Sequence, residues 1–350
     1  IAIGGELFRY ANGREPFIEQ LADRFPRQKD NLGRYWDAVQ RVAGASSLSS
    51  MTHTDSNAIL NSEYQLRSTN SVIDELVSDP LLAKVLVGNL PLYAAERDKT
   101  PFATHAFVMD FYNQSAFRIV GGSDAIARSL VRTIIDCVLT GQRAVKIVCD
   151  ENHATGVETA TEQFFPADYI ISDAHPMRTL ELTDSHLIRP AFRQRINAMA
   201  QTVGVFSVYL EFQENTVPYM NHNFYGYNTE TPWGCEHYDE HSWPKGYLYM
   251  HFCEGEETAK YARTGVVLSY MQWSDVVRWA DTTVGHRGAD YEAFKERKAR
   301  QLLASLERHF PGIGSHVKRY YTSTPLTYRD YTGTERGGMY GCAKDIGMGA

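Results

Sequence analysis

Two glycines, Gly121 and Gly122, separate a short apolar run from an amphipathic stretch in "RIVGGSDAIARSLVRTI", residues 118–134. A helix starting there presents unpaired N–H groups and the positive end of its dipole, so an anion such as a phosphate can sit against it. Glycine at that corner lets a ligand approach the backbone closely. The pair does not continue into G-x-G-x-x-G, and that fingerprint occurs nowhere in the chain. The same residues read equally as a tight strand-to-helix turn. A second cluster is "WGCEHYDEHSW" (233–243), where His237 and His241 stand four apart beside Cys235, Glu236, Asp239 and Glu240. On a helix that spacing could share a metal. Gly234, Asp239, Ser242 and Pro244 make a poor helix, so a polar loop and no metal are expected. A third, "STPLTYRDYTGTERGGMYGCAKD" (323–345), is rich in glycine and tyrosine and reads as a loop able to lie against a flat ligand, or as a surface connection. Neither G-x-S-x-G, G-x-x-x-x-G-K-[ST] nor H-E-x-x-H is present.

The elements that must position these clusters follow from periodicity. A short strand at 6–10 and an Asn12-Gly13 turn lead into a helix with Pro16 in its first turn, Phe17, Ile18, Leu21 and Phe25 on one face, and Pro26 as its stop. The pattern stays helical from 28 to 95, and "SVIDELVSDPLLAKVLVG" predicts two helices joined at Asp79-Pro80. Residues 102–120 begin as a helix and end extended. Ser123 is the expected N-cap of a helix whose apolar face is Ile126, Leu130, Val131, Ile134 and Val138. "RAVKIVCDENHATGVETA" alternates around an Asp-Glu-Asn turn and predicts a β-hairpin. A further, buried strand is expected at Tyr169-Ile170-Ile171, and a helix at 186–200. Strands are expected at 202–213, 246–253 and 265–273. A long helix lined by Tyr291, Phe294, Leu302, Leu306 and Phe310 should stop at Pro311-Gly312, followed by a final strand and turn.

The chain of 350 residues is 43% apolar and 22% charged, an ordinary globular composition for one large or two medium domains. A formal charge of −7 without a basic block argues against nucleic-acid binding. The five cysteines, Cys137, Cys149, Cys235, Cys253 and Cys342, are scattered and form no C-x-x-C, which suits a reducing, cytoplasmic compartment. No apolar run reaches the roughly 18 residues of a membrane span. The run 80–95 is expected in a core, with peripheral membrane contact as the alternative. The 21 tyrosines suit a large apolar pocket with polar tips, or any dense core. Helices, then a βαββ-like block, then a strand-rich region closed by a long helix make an α/β or mixed α+β layout, with one domain inserted into another.

Five segments, in order, resemble one family. "GELFRYANGREPFIEQLADRFP", "FRIVGGSDAIARSLVRTI", "AVKIVCDENHATGVETATEQFFPADYIISDAHP", the stretch from "LSYMQWSDVV" to "RHFPGI", and "STPLTYRDYTGTERGGMYG" are similar to the phytoene desaturase, carotenoid isomerase and retinol saturase flavoenzymes. The resemblance implies a two-domain FAD-dependent oxidoreductase, with an incomplete Rossmann-like FAD domain and a substrate domain of mixed sheet and helices over an apolar tunnel. On that pattern residues 1–115 are the helical part of the substrate domain, 116–178 part of the FAD domain, 179–335 the sheet-containing substrate domain, and 336–350 return toward the cofactor. The family's dinucleotide fingerprint is expected upstream of Ile1 and its last FAD-contacting helix downstream of Ala350, so FAD is expected to bind these 350 residues weakly or not at all. The family pattern places Gly121 and Gly122 near the cofactor and Val145 on its adenine side. Asp173 and Ala174 fall in a loop facing it, and Arg336, Gly337, Gly338, Tyr340 and Gly341 near the flavin or the tunnel mouth. The implied chemistry is saturation, desaturation or isomerisation of carbon–carbon double bonds in an apolar, retinoid- or carotenoid-like small molecule. The resemblance assigns no catalytic acid or base. An amine-oxidase-like flavoenzyme and a non-catalytic binder of apolar ligands are the alternatives.

Overall fold

A computed structural model describes residues 1–45, 63–115, 117–252 and 260–346. Cys253 and the edge residues 116 and 347–350 of the expected segments lie outside the described residues. The chain opens with two short strands, β1 (Ala2–Ile3) and β2 (Glu6–Leu7), so the strand expected at 6–10 is cut to two residues. Helices α1 (Arg14–Ala22), α2 (Lys29–Gly44), α3 (Thr69–Leu76), α4 (Pro80–Leu86) and α5 (Phe102–Gln114) follow. Local chemistry sets their ends. Asp79 Oδ1 accepts from the Leu81 and Leu82 N–H groups at 2.9 and 3.1 Å, and Pro80, which has no N–H to satisfy, takes the first position of α4.

Helix α6 (Asp124–Thr133) precedes the hairpin β3 (Ala144–Cys149) and β4 (Ala154–Thr159), and β5 (Phe164–Pro166) completes a three-stranded sheet in the order β3-β4-β5. Asp150 turns the hairpin by accepting from the Asn152 and His153 N–H groups at 2.7 and 2.9 Å. Two short helices, α7 (Pro176–Leu182) and α8 (Pro190–Asn197), lead to β6 (Gly204–Phe212), β7 (Phe224–Tyr227), β8 (Gly246–Phe252) and β9 (Thr264–Met271). The long helix α9 (Ala289–Glu307), β10 (Val317–Ser323) and α10 (Pro325–Thr332) complete the described elements.

The main sheet has the order β10-β6-β9-β8-β7-β1-β2, antiparallel throughout except for the β1–β7 pair. Alternation along its strands sends side chains to two different cores. Val205, Tyr225, Tyr227, Leu248, Leu268 and Tyr270 pack with Phe17, Tyr35, Leu82 and Phe102 of the helical layer. Phe206, Val208, Tyr249 and Val267 pack with Phe294, Leu302 and Leu306 of α9. Residues 80–95 belong to the first core: Leu82, Val85, Leu86 and Leu90 are all buried.

Three expectations are corrected. Tyr169 and Ile171 are 92% and 97% exposed and form no strand, because no neighbouring strand among the described residues pairs with them. The apolar face of α6 is also exposed, and Ser123 makes no side-chain capping bond. The expected terminal turn is helix α10, set by a reciprocal Thr324/Thr327 capping box, Pro325 at its start and left-handed Gly333 at its end.

Candidate functional site

The segment after α10 runs back beside the start of β6. The Met339 N–H donates to Val203 O at 3.1 Å, Thr202 N–H to Gly341 O at 2.9 Å, and Ala343 N–H to Ala200 O at 2.7 Å. The Thr202 hydroxyl donates to Gly341 O at 3.0 Å and accepts from the Tyr340 N–H at 2.9 Å. Two glycines permit this path. A Cβ at Gly337, where φ is 63°, would lie 1.9 Å from Pro325 O, and one at Gly338 would lie 2.8 Å from Thr202 O. Both glycines are therefore closed by the chain's own backbone. Arg336, beside them, is exposed with φ 52°.

Asp173 and Ala174 are exposed, and the next residue, His175, is buried. His175 brings their loop to the returning segment. Its Nε2 lies 2.9 Å from Gln201 Oε1 and 3.5 Å from Cys342 Sγ, and a Cβ at Gly341 would touch its ring at 3.5 Å. The structure thus gathers the Asp173–Ala174 loop with Gly337, Gly338, Tyr340 and Gly341 around Thr202 and His175. Val145 is 42% exposed on β3, a strand that bridges at Ile147 to Thr183 just after α7.

Gly121 and Gly122 stand apart from that cluster. Nothing lies within 4 Å of a Cβ built at Gly122, and at Gly121 the nearest atom is Ala125 of the same helix. The corner is open and glycine-faced, at a helix start free of a side-chain cap, and the Gly122, Ala125 and Ile126 N–H groups already donate to Ile119 O, Gly122 O and Ser123 O at 3.0, 3.0 and 3.1 Å. Exposed apolar residues surround it: Phe117, Ile119, Val120, Ile126, Leu130 and Ile134.

The tyrosines form a second feature, at the seam between the helical layer and the main sheet. Tyr227 donates to Gly88 O at 2.8 Å, Tyr270 to Leu90 O at 3.4 Å, Tyr340 to Pro91 O at 3.1 Å, and Tyr10 to Val85 O. These acceptors belong to the end of α4 and the turn after it, and Val85 O and Leu90 O also accept from the Gly88 and Tyr93 N–H groups at 2.8 and 3.2 Å. Burial raises the pKa of Tyr10, Tyr227 and Tyr270 well above the ordinary tyrosine value, so the phenols stay neutral donors. Leu90, Pro91, Tyr227, Cys235, Leu268 and Tyr270 border a cavity of about 10 Å³ there, room for one water at most. The seam is closed at this point. Sequence reasoning missed both the hydroxyl-to-carbonyl pattern and the His175–Gln201–Cys342 group. The high tyrosine content was its one visible signal.

The loop with His237 and His241 is held by Asp239, whose side chain accepts from the His241 and Ser242 N–H groups at 3.0 and 2.8 Å. Among the described residues no group of three or more His, Cys, Asp or Glu is placed to hold a metal ion.

Residues 6–283 match the family described as flavin containing amine oxidoreductase. The chain belongs to that family. All-trans-retinol 13,14-reductase of Rattus norvegicus is 24% identical across 98% of this chain and 62% of its own length. The enzyme of the same name from Homo sapiens is 23% identical with the same coverage. The chloroplastic prolycopene isomerase of Arabidopsis thaliana is 21% identical over 92% of this chain and 56% of its own length. The chain therefore spans somewhat under two thirds of the curated relatives it matches. In fold it is similar to putrescine oxidase bound to putrescine, with a TM-score of 0.59 at 13% identity, covering 99% of this chain and 70% of that one. No helix among the described residues is long and apolar enough to cross a membrane.

Proposed function

We propose that this chain is the substrate-handling body of a flavin-dependent oxidoreductase that acts on carbon–carbon double bonds of an apolar, polyene-like small molecule. The observation that carries the reading is the alignment of nearly the whole chain with retinol reductases, alongside a carotenoid isomerase.

The flavin, when bound, supplies the hydride acceptor or donor. This chain's residues would hold and orient it. The open Gly121–Gly122 corner would face a phosphate, and exposed Val145, Asp173, Ala174 and Arg336 would face the rest of the cofactor. Gly337, Gly338 and Gly341 would shape the loop carrying Tyr340. Residues 116–178 would then form the cofactor side, 1–115 and 179–335 the substrate side, and 336–350 the return between them. With the apolar residues around the corner uncovered and no G-x-G-x-x-G in the sequence, FAD would bind these 350 residues weakly.

The test is to purify the full gene product and incubate it with all-trans-retinol or a linear carotene under turnover conditions. A yellow protein that changes the polyene absorption band supports the reading. Peroxide release from primary amines, with polyenes untouched, overturns it. FAD fluorescence titration of the 350-residue chain should give only weak quenching.

A further inference from the structure

Helices α3 and α4 follow one another through the Asp79-Pro80 corner, and with the loops carrying Arg97 and Trp233 they border a cavity of about 180 Å³. From α3 come Asn70, Ile73 and Asp74, and from Pro80 onward Ala83, Lys84 and Val87, the three- and four-residue steps of a single face on each helix. Ile73 and Val87 are each 1% exposed and give the cavity an apolar lining, to which Trp233 adds an indole ring. An apolar cavity of about 150 Å³ takes up benzene, so this one has room for a single aromatic ring.

The walls are pinned by the chain's own hydrogen bonds. Gln28 Nε2 donates to Ser78 Oγ at 2.8 Å, and Gln28 Oε1 accepts from the Ser78 N–H at 3.2 Å, which fixes the corner between the helices. Asn70 Nδ2 donates to Asp98 Oδ1 at 2.6 Å, and Asn70 Oδ1 accepts from the Asp98 N–H at 2.9 Å, which ties the loop of Arg97 to α3. The Trp233 N–H donates to Thr231 Oγ1 at 3.3 Å. The shape is therefore set before any ligand enters, and little ordering remains to oppose binding.

The charged groups of the lining are not spent in the same way. Lys84 is half-buried and has neither an ion pair nor a hydrogen bond among the described residues. Arg97 Nε stands 4.0 Å from Asp98 Oδ2, so its terminal N–H groups are left over. Asp74, exposed and also unpaired among the described residues, supplies one negative charge against these two positive ones. One positive charge is unmatched beside a ring-sized apolar space.

We infer that this cavity is a binding site for small one-ring aromatic monocarboxylates, with the ring against Ile73, Val87 and Trp233 and the carboxylate on Lys84 and Arg97. A neutral ring would leave the Lys84 ammonium unpaired, an amine would meet two like charges, and a second carboxylate would meet Asp74. Binding is non-covalent. The inference is independent of the flavin reading, since none of these residues is among those assigned to the cofactor.

The test is calorimetric titration of the intact 350-residue chain at low salt with benzoate, benzyl alcohol and benzylamine, which share the ring and differ in charge. Benzoate should bind with a dissociation constant of about 0.1–1 mM, the range open to a ligand of its size. It should bind about tenfold more tightly than either of the other two. Lys84→Met removes the charge and should weaken benzoate about tenfold. Ala83→Leu fills the space and should weaken all binding of the ring. Circular dichroism and thermal melting report that each variant is folded. The inference is overturned if benzoate binds no more tightly than benzyl alcohol and benzylamine, or if either folded variant binds benzoate as the wild type does. Should both variants unfold, the three ligands compared on the wild type decide alone.

Discussion

The hydroxyl of Tyr227 on β7 donates to the carbonyl oxygen of Gly88 at 2.8 Å, joining the main sheet to the turn after α4 across 139 positions of sequence. Both residues are buried, so no water replaces the bond. Tyr227→Phe keeps the ring packing and strands the Gly88 carbonyl, at an expected cost of about 1–2 kcal/mol. Tyr270→Phe breaks a 3.4 Å bond to Leu90 O and should cost less than half of that. Urea unfolding of the two variants measures the difference. Equal, negligible losses would mean that these hydroxyls do not hold the seam.

His105 sets a pH dependence. It is fully buried, with Tyr35 hydroxyl on Nε2 at 2.8 Å and Tyr93 hydroxyl on Nδ1 at 2.7 Å, and burial lowers its pKa to about 3. The folded state thus disfavours the proton that the unfolded chain takes up near 6.5. The stability this neutral histidine contributes is complete above 6.5 and is lost as pH falls through the window down to about 3. Each such group gives a slope approaching about 1.4 kcal/mol per pH unit inside its window. His251, lowered to about 4 chiefly by burial, adds a second contribution over a narrower range. Urea midpoints at pH 7, 6 and 5 should fall steadily, and less steeply in His105→Gln. A slope unchanged by that substitution would remove His105 from the account.

Local signals and partner-dependent ones fared differently. Asp79-Pro80 was legible because a cap and a proline act within four residues, and α9 because Tyr291, Phe294, Leu302 and Leu306 repeat on one face. The same kind of signal stood in Thr324, Pro325, Thr327 and Gly333, yet those residues were read as a turn. Ile171 was read as buried, and Leu130 as part of one apolar helix face, from pattern alone, but burial needs a partner surface, and none covers them among the described residues. The seam was illegible for another reason. The acceptors at Gly88, Leu90 and Pro91 are backbone atoms, which carry no mark in the sequence.

Lys298 on α9 offers an asymmetric test. Its side chain is 1% exposed, with Nζ 2.9 Å from Glu240 Oε2 and 4.6 Å from the centre of the Trp243 ring, whereas Glu240 is 53% exposed. Removing the carboxylate leaves a buried ammonium facing the Trp243 and Phe294 rings without an anion, while removing the ammonium leaves a carboxylate that water can reach. Glu240→Ala should therefore cost about 2 kcal/mol, and Lys298→Met within about 1 kcal/mol of nothing. Denaturant midpoints of both variants decide. The reverse order would show that the pair, rather than the apolar stem of Lys298, supplies the stability.

The open face of α6 gives a prediction about what does not matter for folding. Ile126, Leu130 and Ile134 are 49%, 62% and 52% exposed on one side of that helix, beside the Gly121–Gly122 corner. Such a patch should bind the dye ANS in the folded 350-residue chain. The double substitution Leu130→Glu and Ile134→Glu should reduce ANS fluorescence and aggregation while changing stability by no more than about 0.5 kcal/mol. If these side chains were covered in the folded chain, two buried carboxylates would lower the melting temperature by many degrees. Thermal melting and dye titration of the same sample separate the two outcomes.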